Sequence, residues 1–174
     1  HVKALKSDPK LIERIAREND ALLIKRVMDA GAHGVIVPMV NSAAEARAAV
    51  QAVKYPPSGR RGVGLARAQG YGAGFEEYKA WVERGSVVIV QIEHIDAVRE
   101  LEAILAVDGV DGFLVGPYDL SGSLGMPGAF EEPAVKQALG SIARVMGSCR
   151  PVPGIHVIPP EAGSRSKRAT TRST

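Results

Sequence analysis

The 174-residue chain contains one cysteine, Cys149. A lone thiol forms no intramolecular disulfide framework and supplies no multi-cysteine zinc site. That suits a reducing cytoplasm. Nothing in Gly147-Ser148-Cys149-Arg150 activates a thiol, so an inert side chain is expected there. Long apolar runs are missing as well. None approaches the roughly 18 residues of a membrane span, and the opening His1-Val2-Lys3-Ala4-Leu5-Lys6 does not read as a signal peptide. The body of the chain also lacks excess charge, although the pI is 9.1. Residues Glu161 to Thr174 hold Arg165, Lys167, Arg168 and Arg172 against Glu161, a net +3, and the whole chain is +3. Residues 1–160 are therefore near neutral, which is no electrostatic footprint for a nucleic acid. There is no GK[ST] phosphate loop at Gly62-Val63-Gly64 or Gly70-Tyr71-Gly72, and no internal repeat.

What is present reads as α/β. Gly34–Met39, Ser86–Ile92, Gly112–Gly116 and Gly154–Ile158 are short, β-branched, nearly continuous apolar runs, the pattern of parallel strands covered on both faces. Helical patterns alternate with them. Ser42 and Glu45 form a capping box for Ala43–Val53, which Pro56-Pro57 stops. Leu22–Ala30 ends at Gly31, and Phe75–Arg84 ends at Gly85. Asp96–Val107 and Pro133–Met146 each carry an apolar stripe. Around residues 9–16 two readings compete, a helix from Asp8-Pro9 and a strand over Leu11–Ile15; periodicity favours the helix. The expected organisation is one α/β domain over residues 1–160 and a basic, disordered tail over 161–174.

Two strands end in polar residues that packing alone would not choose. Gln91 and Glu93 lie two apart, on one face of their strand. The next strand ends in Gly116-Pro117-Tyr118-Asp119. In parallel α/β barrels, catalytic groups cluster at the C-terminal strand ends. Glu93 and Asp119 would converge two hard oxygen ligands on one point, suiting Mg²⁺ or Mn²⁺. The structural alternative is a helix-capping Glu and a turn Asp.

Gln91-Ile92-Glu93, Gly109 through Ser121, Leu124-Gly125, Asp29 through Val40 and Tyr55 through Gly64 together resemble the HpcH/HpaI aldolase family, class II pyruvate aldolases of the phosphoenolpyruvate/pyruvate barrel superfamily. The resemblance runs over roughly residues 10–158. It implies a TIM (β/α)8-type barrel in which the first two strands and the last have no counterpart. It also implies divalent-metal-dependent cleavage of 4-hydroxy-2-oxo acids to pyruvate and an aldehyde, with a role in aromatic compound catabolism. Glu93 and Asp119 would hold the cation, Mg²⁺, Mn²⁺ or Co²⁺. Gln91 and the backbone N–H groups of Gly116, Tyr118 and Asp119 would meet the pyruvate carboxylate. Arg14, with Arg17 as the fallback, would hold the keto oxygen, unless it is a solvated helix arginine. Asp29 would support a catalytic histidine, or would simply be an aspartate in the last turn before Gly31.

The chain departs from the family pattern where that histidine belongs. His1 lies too close to Arg14 to match, and His33, His94 and His156 read as structural or solvated. Arg60, Arg61 and Arg67 could reach an anionic substrate group, whereas Phe75, Tyr78 and Trp81 share a helical stripe that suits packing. The expected partners are a small oxo acid or pyruvate with an aldehyde, and a homo-oligomer in the cytoplasm, with neither nucleic acid nor membrane. Two alternatives share the metal pair: a malyl- or citramalyl-thioester lyase, and an inactive barrel fragment that self-associates through open strand edges.

Overall fold

A computed structural model describes residues 12–14, 19–146 and 151–155. Cys149, His1, Arg17, His156 and the 161–174 tail lie outside the described residues. Five strands form one parallel sheet in the order β1 (Ile12–Arg14), β2 (Gly34–Val37), β3 (Val87–Ile92), β4 (Gly112–Val115) and β5 (Val152–Ile155). Between them run α1 (Ala21–Ala30), α2 (Ala43–Val53), a 3₁₀ turn (Arg67–Gly72), α3 (Phe75–Gly85), α4 (Ile95–Arg99), α5 (Leu101–Leu105), α6 (Pro117–Ser123) and α7 (Pro133–Met146). Strand order follows chain order without reversal. Right-handed crossovers that always step the same way leave their helices on one side of the sheet, which is the winding of a TIM barrel and not of a doubly wound sheet. The fold is α/β, with five strands of such a barrel among the described residues.

Register separates the two faces. Val35 pairs with Val88, Val37 with Val90, Val90 with Phe113 and Ile92 with Val115. These residues are buried, and with Ile24, Met28, Ala49, Val53, Leu101, Ile104 and Ile142 they make the core. The alternate residues Ile36, Ile89 and Leu114 are only partly buried and occupy the other face, with Gln91 level with Leu114.

Three expectations are corrected. Residues 12–14 form a strand, in parallel register with Gly34–Ile36; pairing to β2 overrides the local helical pattern. The single helix expected over Asp96–Val107 is broken at Glu100, whose backbone lies at φ −97°, ψ 8°, and it ends at Leu105. Gly116-Pro117-Tyr118-Asp119, expected as a turn, is instead the cap and first turn of a helix over Pro117–Ser123, with Pro at its first position, where a missing N–H costs nothing. No helix among the described residues is long and apolar enough to cross a membrane.

Candidate functional site

In a parallel sheet every strand delivers its C-terminal end to the same rim. Here the rim gathers Met39 from the end of β2, Glu93 and His94 from the end of β3, and Tyr118 and Asp119 from the first turn of α6. Together with Gly122, Ser123 and Pro127 they line a hollow of about 310 Å³. Glu93 is buried, 4% exposed, and both of its carboxylate oxygens are gripped. Gln91 Nε2 donates to Oε1 at 2.7 Å, and the Met39 N–H donates to Oε2 at 3.2 Å. The sequence alternation that put Gln91 and Glu93 on one face is thus used for a direct contact.

Gly116 makes room for this carboxylate. A Cβ there would stand 2.9 Å from Glu93 Cγ and 3.0 Å from Oε1, closer than any ordinary contact. Met39 has a left-handed backbone, φ 51°, uncommon for a residue with a side chain. That conformation accompanies its N–H bond to Glu93, and such local strain gathers at functional sites.

Asp119 is exposed and sits in the first helical turn of α6, where a carboxylate also complements the helix dipole. α6 itself is pinned. Ser123 Oγ accepts from Ile95 N and donates to Leu120 O, and Ser121 Oγ donates to Tyr118 O and accepts from Gly128 N. Of the three N–H groups expected to face a carboxylate, Gly116's is already used on Ile92 O at 3.1 Å. Those of Tyr118 and Asp119 precede the first intrahelical donor, Leu120, which bonds Gly116 O.

His94, read as structural, caps α4: its Nδ1 accepts from Asp96 N at 3.2 Å. It also lines the hollow. His33 packs edge-on against Trp81, 5.3 Å between centroids. Among the described residues no three His, Cys, Asp or Glu side chains are grouped to enclose a cation. The rim offers a pair of carboxylates.

Asp29 stands elsewhere. α1 runs back to the N-terminal edge of the sheet, so the length of the strands separates Asp29 from Glu93. Its carboxylate pairs with Lys25 one helical turn away and with Arg61 at 2.5 Å. Arg61, one of three arginines that could have reached an anionic substrate group, has a fully buried side chain. It reaches Tyr78 Oη at 3.2 Å and lies 4.7 Å above the Tyr55 ring. Burial alone would lower the pKa of this guanidinium, but hydrogen bonds to Asp29 and Tyr78 hold it above its ordinary value. The described residues bring no histidine to Asp29; its visible partners are cations. Tyr78 stacks on Trp81 and Phe75 packs on Tyr55, as the helical stripe implied. β1 places Arg14 level with Ile36, in the row beside Ile89; its side chain lies outside what is described.

The contacts of Met39 and the lining role of His94 were missed. An exposed methionine closing a strand gives no pattern to read, and His94 next to Glu93 was the only available signal.

Comparison with known proteins agrees with this architecture. The sequence profile of the family described as HpcH/HpaI aldolase/citrate lyase matches residues 2–157. A hydroxypyruvate/pyruvate aldolase of Sagittula stellata is 48% identical over 122 residues, covering 70% of this chain and 48% of that protein. A 4-hydroxy-2-oxovalerate aldolase of Novosphingobium aromaticivorans is 42% identical over 134 residues, covering 76% and 51%. The chain therefore spans about half the length of the curated relatives it matches. The crystal structure of an HpcH/HpaI aldolase/citrate lyase family protein from Burkholderia cenocepacia superposes with a TM-score of 0.75 at 33% identity, over 83% of this chain and 57% of that one. With the profile spanning most of its length and the parallel strands wound in one direction, this chain belongs to the HpcH/HpaI aldolase/citrate lyase family.

Proposed function

We propose that this chain carries the metal-holding and pyruvate-binding part of a divalent-metal-dependent aldolase that cleaves 4-hydroxy-2-oxo acids to pyruvate and an aldehyde. The observation that carries the reading is the meeting of Glu93 and Asp119 at one small hollow on the C-terminal rim. The donor set fits the group: two hard carboxylates on neighbouring strand ends suit Mg²⁺, Mn²⁺ or Co²⁺ and leave positions for substrate oxygens and water. When bound, the cation supplies Lewis-acid stabilisation of the charge that develops on the pyruvate oxygens.

The chain's own residues do the rest. Gln91 and the Met39 N–H fix the two oxygens of Glu93, so the carboxylate presents one orientation and little reorganisation is needed. The Tyr118 and Asp119 N–H groups are the candidates to receive the pyruvate carboxylate, and Gly116 shapes the wall. Arg14 is proposed for the keto oxygen, with Arg17 as the fallback. Asp29 is proposed to support acid/base chemistry only through residues beyond those described, because its visible role is to neutralise Arg61. At about 310 Å³ the hollow is near the low end of small-molecule sites, roughly 300–1,000 Å³, which favours a short oxo acid over a bulky thioester. The reading extends to a homo-oligomer in the cytoplasm, and the exposed apolar side chains of Val63, Leu65 and Tyr71 support self-association.

The test is aldol addition. The protein, with Mn²⁺ or Mg²⁺, pyruvate and a small aldehyde, is expected to form the 4-hydroxy-2-oxo acid. Glu93→Ala and Asp119→Ala should each abolish that product while remaining folded. Folded wild-type protein that binds the metal and yields no adduct would refute the reading and favour an inactive fragment.

A further inference from the structure

The rim holds more than its carboxylates. Seven large hydrophobic side chains are exposed among the described residues; two of them, Met39 at 39% and Tyr118 at 51%, line this hollow, and a third, Phe130 at 41%, packs against the Tyr118 ring. Single exposed apolar residues need no explanation, but an apolar ring around a polar floor is the anatomy of a small-molecule site. We propose that Met39, Tyr118 and Phe130 form an apolar collar that selects an aliphatic or aromatic aldehyde as the second substrate, over an aldehyde bearing a carboxylate. The inference rests on the aldolase reading above and deepens it.

The collar is built to hold its shape. Behind the Tyr118 ring lies Gly128, with φ +78°, where a Cβ would stand 3.2 Å from Tyr118 Cε2. Phe130 meets the same ring edge-on, 6.4 Å between centroids and 68° between planes, a favourable aromatic geometry. Ser121 closes the unit: its buried hydroxyl donates to Tyr118 O and accepts from Gly128 N, tying the start of α6 to the loop that carries Phe130. A tyrosine half in water would ordinarily be free to turn; this one is backed on its inner side. Opposite, the left-handed backbone of Met39 directs an unbranched, adaptable thioether to the mouth while its N–H stays on Glu93. Pro127 and Gly122 complete a lining that offers carbon more than polar atoms.

Charge points the same way. The lining residues that carry charge are Glu93 and Asp119, and none of the described lining residues is Lys or Arg. With the cation on Glu93 and Asp119 taken up by the pyruvate oxygens, an aldehyde's distal carboxylate would lie against the apolar side chains, losing hydration with no Lys or Arg among the described lining residues to meet it. An alkyl or phenyl tail loses only its contact with water.

The experiment compares kcat/KM for hexanal and benzaldehyde with that for glyoxylate and succinic semialdehyde, using the full chain, Mn²⁺ and pyruvate. Apolar pocket contacts discriminate by factors of about 10 to 200, so a preference of about tenfold or more for the apolar pair is expected. Phe130→Ala and Tyr118→Ala should each raise KM for hexanal relative to KM for pyruvate, and Met39→Lys should shift the preference toward succinic semialdehyde. If Tyr118→Ala does not fold, Tyr118→Gln makes the same test. Equal or better use of succinic semialdehyde by the wild type overturns the collar, as does a Phe130→Ala variant that loses both aldehyde classes alike. Exchange of pyruvate methyl protons with deuterated water, followed by NMR, needs no aldehyde and separates the two claims. Exchange without apolar preference sinks the collar alone, whereas absence of metal-dependent exchange overturns the aldolase reading and the collar with it.

Discussion

Arg61→Met is expected to destabilise the fold by about 3 kcal/mol. The guanidinium is fully buried and gives up the Asp29 contact at 2.5 Å, two contacts with Tyr78 Oη at 3.2 and 3.3 Å, and the face of the Tyr55 ring. Deleting one member of a buried pair typically costs roughly 3–5 kcal/mol, because the other is left buried and uncompensated. The low end applies here, since Asp29 keeps Lys25 and is itself 17% exposed, and methionine refills most of the apolar space. For a chain of this size the change corresponds to a fall in Tm of roughly 6–12 °C. Urea unfolding followed through Trp81, the only tryptophan, is a suitable assay because that ring stacks on Tyr78. The double variant Asp29→Leu with Arg61→Met removes both charges and should be more stable than Arg61→Met alone. A single-variant cost under about 1 kcal/mol, as for a solvated surface pair, would refute the argument. A double variant no better than the single would refute its electrostatic half.

Other changes probe other parts of the fold. Gly116→Ala puts a methyl group 2.9 Å from Glu93 Cγ, so Mn²⁺ affinity, read by calorimetry, should fall about tenfold or more with the core intact, a loss of the size seen when a ligand's support is disturbed. Ser121→Ala strands the Gly128 N–H and should cost about 1–3 kcal/mol in urea unfolding. Asp111→Asn tests pH dependence. Burial raises the Asp111 pKa, with the Val88 N–H and Lys54 pulling it down. A carboxyl whose pKa is raised on folding contributes stability that is present below its unfolded pKa and lost as pH rises through the folded one. The variant should therefore gain on the wild type as pH rises above the ordinary carboxylate range, and a pH-independent difference would contradict this. Lys54→Met removes an ammonium that donates to Val82 O and Glu83 O at 2.8 Å each, two of the last four carbonyls of α3. Amide exchange should show earlier fraying of that helix end, and unchanged protection there would refute the capping role.

Much of the fold could be read from the sequence because local rules and tertiary demands coincide. Ala43–Val53 begins where its capping signal puts it: Ser42 Oγ accepts from Glu45 N at 3.2 Å, while the Glu45 carboxylate reaches back one residue further than a capping box requires, to Asn41 N at 2.5 Å. β3 and β4 are apolar runs long enough to announce themselves. β1 is three residues long and exists through its pairing with β2, so its own periodicity misleads. α6 spans seven residues with only Leu120 and Ser121 buried, too short for an apolar stripe to show. At the rim, Gln91 and Glu93 were legible because strand alternation joins them. Asp29 and Arg61 were not, since residues 32 apart meet only after two helices and a loop are placed.

The one-directional winding of the sheet gives a simple rule for which substitutions the chain tolerates. Helix-facing residues are odd-numbered in β2 (Val35, Val37), even-numbered in β3 (Val88, Val90, Ile92) and odd-numbered again in β4 (Phe113, Val115). The opposite parity faces the interior and, at its upper end in β3, leads through Gln91 to Glu93. Saturation mutagenesis read by abundance should score the first set, and the same library read by catalysis should add Gln91 and Glu93 from the second. Protein level and turnover would thus vary along these strands out of phase, with the phase inverting at each step from one strand to the next.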